Sequence, residues 1–327
     1  MRISSAVLGA GLLTAGLVVT APAANAALVT HCVGTGGAVT VPNDLYVPAG
    51  ESCALTGTVI TGNVSVATGG NLVITGGRVS GEVRVAGNGY LDASDTTVAG
   101  PVILAAGGYG VFLKDASSGT VTVRAKGTTT VDSFLFVENS TIAGNVAASA
   151  GEVRLERNTS VEGNVTSTGT YYTDVHDSFV DGTLSVLNSS TGSVVCGSSV
   201  RGKATFAGNL GGVQLGPDGP LDSCASGGFW GRDVSVTSTT GGVTVDDNII
   251  DGVLTATGNT PVARISDNNR IRRGVVTDPA SAARSLSPSL ARSLARSAAP
   301  RETDTGKAVE RRADAVQEAT AAGAADL

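Results

Sequence analysis

Between Leu45 and Val276, apolar and polar residues alternate in runs of only three or four, each cut off by Gly, Asn, Asp or Thr. Alternation with a period of two puts one face of a strand inward, and runs this short are strands joined by tight corners. The runs also repeat. An apolar residue, any residue, Gly, any residue, apolar, any residue, apolar recurs as Ile60-Thr-Gly-Asn-Val-Ser-Val66, Val79-Ser-Gly-Glu-Val-Arg-Val85 and Val98-Ala-Gly-Pro-Val-Ile-Leu104. It returns at Ile142, Val161, Val180, Val200 and Ile250, with degenerate copies opening at Ser117, Trp230 and Ile271.

The apolar residue four after each opener gives the series Val64, Val83, Val102, Val121, Val146, Val165, Leu184, Ala204, Val234, Leu254, Val275. Its intervals are 19, 19, 19, 25, 19, 19, 20, 30, 20 and 21, and Leu45 lies 19 before Val64. Repeats of this length are single coils of a solenoid, each burying its apolar face on its neighbours. The expected fold is therefore an all-β, single-stranded parallel β-helix of about twelve rungs of 19–21 residues, with insertions near 127–136 and 208–229. A second strand recurs within each rung, as at Asn71–Ile74, Tyr90–Ala93, Glu152–Leu155, Gly242–Val245 and Val262–Ile265. No ten-residue helical pattern separates these strands, which excludes a βαβ arrangement. A column of Asp95, Asn139, Asn158, Asp177, Asp247 and Asn268 precedes the openers, and these types tolerate left-handed corners. Uneven turns with such a column favour a right-handed coil.

The flanks have different patterns. Arg2, the apolar stretch Ile3–Val19 and the small-x-small site Ala24-Asn25-Ala26 read as a secretory signal over residues 1–26. Residues 27–44 read as an N-terminal cap, 45–276 as the β-helix and 277–327 as an Ala/Ser/Arg-rich tail, partly disordered with short helices, one around 306–321. Leu286, Leu290 and Leu294 form a stripe suited to capping the last rung. A basic cluster of Arg264, Arg270, Arg272, Arg273, Arg284, Arg292, Arg296 and Arg301 lies nearby. No later apolar run is long enough to span a bilayer, so stable membrane insertion is not expected. The expected location is extracellular, in the medium or associated with the cell wall. Four cysteines in an exported chain admit three pairings. The local pairs Cys32–Cys53 and Cys196–Cys224 are favoured, because their spacings approach one turn and one turn plus an insertion.

Composition narrows the function. Charged residues are 15% and aromatics 4%, against 45 Gly, and the net charge of −6 gives no electrostatic case for binding nucleic acid.

The segments Asp247-Asn-Ile-Ile-Asp-Gly252 and Asp267-Asn-Asn-Arg-Ile271 resemble the repeats of pectin-lyase-like right-handed parallel β-helix proteins. Val161-Glu-Gly-Asn-Val165 and its siblings resemble the rungs of bactofilin-type β-helices, whose cytoplasmic setting conflicts with the export signal. The Ala/Gly/Arg-rich flanks resemble those of actinobacterial secreted proteins. These resemblances imply the fold and carry no catalytic site across.

Candidate chemistry comes from stacking. Glu138, Arg157 and His176 are expected in one column, and Asn139, Asn158 and Asp177 in the next. Glu162, Asp181 and Arg201 lie beyond the opener. Two carboxylates at rung spacing have the separation of a glycosidase pair. The pectate-lyase resemblance would use Asp-bound Ca²⁺ and an Arg base, for which Asp174, Asp177, Asp181 and Arg201 are available. A second acidic group, Asp246, Asp247, Asp251 and Asp267, offers hard oxygen ligands for Ca²⁺. His31 is expected at the surface of the cap. Phe134 and Phe136 in one insertion, and Phe229 and Trp230 in the other, are candidate sugar-stacking rings, with Trp230 also suited to the core. Polar residues at corners are more simply read as a solvated face, so catalysis and cofactors are not expected. The first expectation is a structural, adhesive or glycan-binding role toward cell-wall or extracellular polysaccharide. The alternative is a uronate lyase or glycoside hydrolase acting through residues 138–201. Exposed solenoid ends also allow end-to-end self-association.

Overall fold

The computed structural model of the chain describes residues 28–279 and 306–327. Among these, thirty-seven short strands cycle through three parallel sheets, from β1 (Val29–His31), β2 (Gly34–Gly36) and β3 (Thr40–Val41) to β35 (Arg264–Ile265), β36 (Arg270–Ile271) and β37 (Val275–Thr277). Sheet A holds thirteen strands, and sheets B and C twelve each. The chain is a parallel β-solenoid of twelve complete turns plus β37.

Register follows the apolar series read from sequence. Leu45, Val64, Val83, Val102 and Val121 are paired neighbours in sheet A, as are Leu184, Ala204, Val234, Leu254 and Val275. A one-residue slip would turn every one of these side chains to solvent, so the apolar alternation enforces the pairing. Inward residues of all three sheets form one continuous core.

Four details differ from expectation. The first turn begins at Val29, inside the segment read as a cap, because Thr30 already pairs with Leu45. The first insertion lies three residues earlier than expected, from Arg124 to Ser133, and the second is shorter than expected, from Gly216 to Gly228. Ser118, not Ser117, pairs with Val98 and Ile142 in the inward column, so that corner is one residue shorter. The tail is not a solvated linker throughout, since a helix, α1 (Gly306–Ala322), packs on sheet B beside strands Ser52–Thr56 and Asn71–Thr75.

Helix α1 is rich in Ala, Glu and Arg, all strong helix formers, and ends at Gly323, whose φ of 92° is the left-handed C-cap conformation. Ala308, Ala315 and Ala319 share one face, and their small side chains bring the helix close to the sheet. Helix α1 starts level with the middle turns, where Lys307 pairs with Glu152, and runs toward the N-terminal end, where Ala324 meets Thr35. The Leu286, Leu290 and Leu294 stripe, the four arginines from Arg284 to Arg301 and the signal segment lie outside the described residues. No helix among the described residues is long and apolar enough to cross a membrane.

Polar columns close the corners. Asp95, Asn139, Asn158, Asp177 and Asp247 all adopt φ between 45° and 65°, as expected of the left-handed corner; Asn268 does not. Asp115 joins the same corner with φ of 51°. Inside the next position, buried Thr96, Ser140, Ser198 and Asn248 each accept a hydrogen bond from a backbone N–H of the preceding turn. Each thereby satisfies an amide that the corner removes from the ladder.

Candidate functional site

Sheet B is covered on its outer face as well as its inner one. Its outward side chains run up the rod as columns, and the expected polar candidates fall at their ends. Glu138 pairs in register with Glu156, not with Arg157, and His176 pairs with Cys196. The slip has a local cause. Arg157 and Asn158 both take left-handed φ, 55° and 65°, so this corner holds one more residue than its neighbours. Arg157 nevertheless reaches back to Glu138, with Nη1 3.2 Å from Oε2. His176 faces the second insertion, its Nε2 3.6 Å from Asp222 Oδ2. Asp174 is buried and accepts from the Val194 N–H at 2.8 Å.

Asp181 and Arg201 pair at 3.1 Å, both exposed, at the corner beyond sheet C. The strand Phe179–Val180 separates Asp177 from Asp181. Asp177 at its left-handed corner and Asp181 therefore stand at opposite ends of that strand. Glu162 is exposed on the same far side. The Glu138–Arg201 set is thus divided between two corners, with Glu162 and Asp181 on neighbouring rungs at the one beyond sheet C.

The second acidic group is also dispersed. Asp246 is buried and accepts from Asn268, Asp247 accepts from the Gly227 N–H, and Asp251 lies 3.2 Å from Arg272 Nε. Among the described residues no three of His, Cys, Asp and Glu gather around one point, and the candidates Asp246, Asp247, Asp251 and Asp267 are not brought together.

The cysteines pair as favoured. Cys32 and Cys53 have Cα atoms 5.6 Å apart, and Cys196 and Cys224 5.5 Å apart. The first pair sits in the core at the N-terminal end. The second pins the 216–228 insertion to the outer face of sheet B. Exposed His31 stacks at a tilt on Tyr46.

The aromatics divide differently from expectation. Phe134 and Phe136 are not in the insertion but in a strand of sheet B, stacked and fully buried. They pack with Tyr90, Phe112 and Ala308, and Lys307 lies over both rings. Trp230 is core, its Nε1 donating to Asn248 Oδ1 at 2.8 Å.

Sequence reasoning missed the clamp beneath α1. Asp92 is fully buried on the outer face, receives the Arg312 guanidinium, and accepts from the Tyr90 hydroxyl and Ser94. Burial pushes the Asp92 carboxyl above its ordinary value, and the adjacent Arg312 works against that shift. Burial, followed by the Asp92 charge, raises the Tyr90 hydroxyl well above its ordinary value. Lys307 pairs with Glu152, and Glu318 accepts from Ser52. The available signal was a helical pattern with three small residues on one face, which does not say where the helix docks.

Sheet C carries the open surface. Its outward column reads Phe179, Ser199, Phe229, Ile249, Arg270 in successive turns. Phe179 is 51% exposed, Phe229 40% and Ile249 42%. A cleft of about 670 Å³ opens beside the column. Gly227, Gly228 and Asn248 line it together with Asp247, Asn268 and Arg270. The cleft exists because the second insertion rejoins the rung through Gly227-Gly228, leaving no side chains there. No protein-family model, curated protein or solved structure matches the chain.

Proposed function

We propose that this protein is an exported, non-enzymatic β-solenoid that binds cell-wall or extracellular polysaccharide through the outer face of sheet C. The observation that carries the reading is the exposed column Phe179, Phe229 and Ile249 beside a cleft edged by Asp247, Asn268 and Arg270. Contiguous apolar surface rimmed by polar groups marks binding sites. A sugar ring offers C–H faces to an aromatic ring and hydroxyls to the flanking carboxylate, amide and guanidinium. Phe179 and Phe229 are two rungs apart, about 9.6 Å at the spacing of stacked strands. Ser199 between them leaves a slot, so the face suits an extended chain laid along the rod. The division of the 138–201 polar set between two corners, with Asp181 already paired to Arg201, supports binding over turnover.

The test is retention of the chain on a panel of cell-wall preparations and of neutral and uronate polysaccharides. Phe179→Ala/Phe229→Ala is expected to weaken binding to the retained polymer by at least ten-fold, from about 1–1.5 kcal/mol per ring. Absence of binding across the panel, or equal binding by the double variant, refutes the reading. Degradation of a uronate polymer that disappears in Asp177→Ala or Asp181→Ala would assign catalysis instead.

A further inference from the structure

The two ends of the solenoid differ by one strand, and the difference is complementary. Numbering levels by turn, the C-terminal end carries a strand at level 13 in sheet A, β37, and none among the described residues in sheet B or C. At the N-terminal end the chain's own C-terminal segment adds a strand below level 1, in sheet B. Ala324 bridges Thr35 of β2 in parallel. The Thr35 N–H donates to Gly323 O at 2.8 Å, and the Ala325 N–H donates to Thr35 O at 2.8 Å. Leu327 and Ala325 pack on the core behind it. Among the described residues the N-terminal end therefore has a sheet B bridge at level 0 and no sheet A strand there.

We infer that copies of this chain stack head to tail and share a rung. In that rung β37 of one copy supplies the sheet A strand, and residues 323–325 of the next supply the sheet B strand. β37 then pairs with β1 of the second copy, and the tail strand pairs on its free edge with β35 of the first. All strands keep the parallel direction they have within each copy, and sheet C alone retains a gap of one level. Register follows from the columns. Thr30 lies in the column of Leu45 and Val275 in that of Leu254, so Val275 meets Thr30.

Two observations support the joint. First, no strand of the described residues pairs with the outer edge of β1 or β37, and soluble proteins usually blunt such edges. Second, exposed apolar side chains collect at both ends. Val275 and Val276 are 45% and 52% exposed, and Leu28, Val29 and Val39 are exposed opposite. A head-to-tail contact that does not close on itself generates a filament, here with a repeat of about 60 Å from thirteen levels at strand spacing.

The experiment is light scattering after size exclusion over a concentration series, with electron microscopy, on the full chain as its cells produce it. Rods lengthening in steps of about 60 Å are expected. Val275→Lys places an ammonium in the core of the joint but in solvent in the single copy. It is expected to raise the concentration needed for assembly at least ten-fold while leaving the melting temperature unchanged. Removal of residues 323–327 is expected to raise that concentration from the other end, with a lower melting temperature as well, because Ala325 and Leu327 leave the core. A full chain that stays monomeric at the highest soluble concentration overturns the inference. So does assembly that persists unchanged in either variant. The result is independent of polysaccharide binding, which uses the side of the rod.

Discussion

Replacing Arg312 by Ala removes the only cation the described residues place against the buried Asp92 carboxylate, and the outcome follows from that geometry. Breaking a fully buried ion pair costs about 3–5 kcal/mol, because the surviving charge is left without a partner. Arg312 is itself a third exposed, so water can reach part of the vacated space. Discounting for that access leaves about 2 kcal/mol. The loss falls on helix docking and not on the solenoid, whose core lies on the inner face. At 1.36 kcal/mol per decade, 2 kcal/mol raises the opening equilibrium of α1 roughly thirty-fold. Hydrogen exchange of residues 308–322 measures it directly. In Asp92→Asn the same Arg312→Ala change is expected to cost less than about 0.5 kcal/mol, since no buried charge remains. The pH dependence has a definite sign. Asp92 titrates higher in the folded chain than its ordinary value. Its contribution to stability is present in full below the unfolded value and is lost as pH rises through the raised folded value. The penalty of Arg312→Ala therefore shrinks on acidification. Helix exchange within two-fold of wild type in Arg312→Ala, or an undiminished penalty in the Asp92→Asn background, would refute this account.

Two further perturbations test the corners and the staple. Asn248→Ala removes a fully buried amide that accepts from the Gly228 N–H and the Trp230 indole and donates to Leu215 O and Asp246 O. A loss of about 2–3 kcal/mol in urea unfolding is expected, because several partners are orphaned together; a loss under 1 kcal/mol would show that water replaces them. Cys196→Ser/Cys224→Ser opens a link across 28 residues. The chain-entropy model gives about 3.5 kcal/mol at most, seen as protease cleavage within 216–228 while the other turns stay protected, and wild-type resistance of that loop would count against the staple.

The candidate site was legible to different degrees along the chain. The position of Trp230 followed from its place in the opener column. The Glu138 column did not, because Arg157 and Asn158 each occupy the left-handed region and lengthen that corner. A corner residue and a strand residue look alike in a repeat alignment, and one extra residue shifts the outward column while leaving the inward apolar series intact. Phe134 and Phe136 were misplaced for a related reason. An insertion and the strand that follows it both interrupt the period, and only pairing with Gly110 and Phe112 places the boundary at Phe134.

The apolar series from Leu45 to Val275 was enough by itself to determine the fold and the sheet A register, and the cysteine spacings favoured the two pairs that form. In a solenoid each contact is with the next turn, so spacing along the chain is spacing in space. What only the tertiary structure decided are the contacts that ignore this rule. Helix α1 lies some 220 residues from Asp92 in sequence, and Ala324 lies 289 residues from Thr35, which it pairs. No periodicity encodes such a return, because it depends on the buried carboxylate and open strand edge that the assembled rod presents.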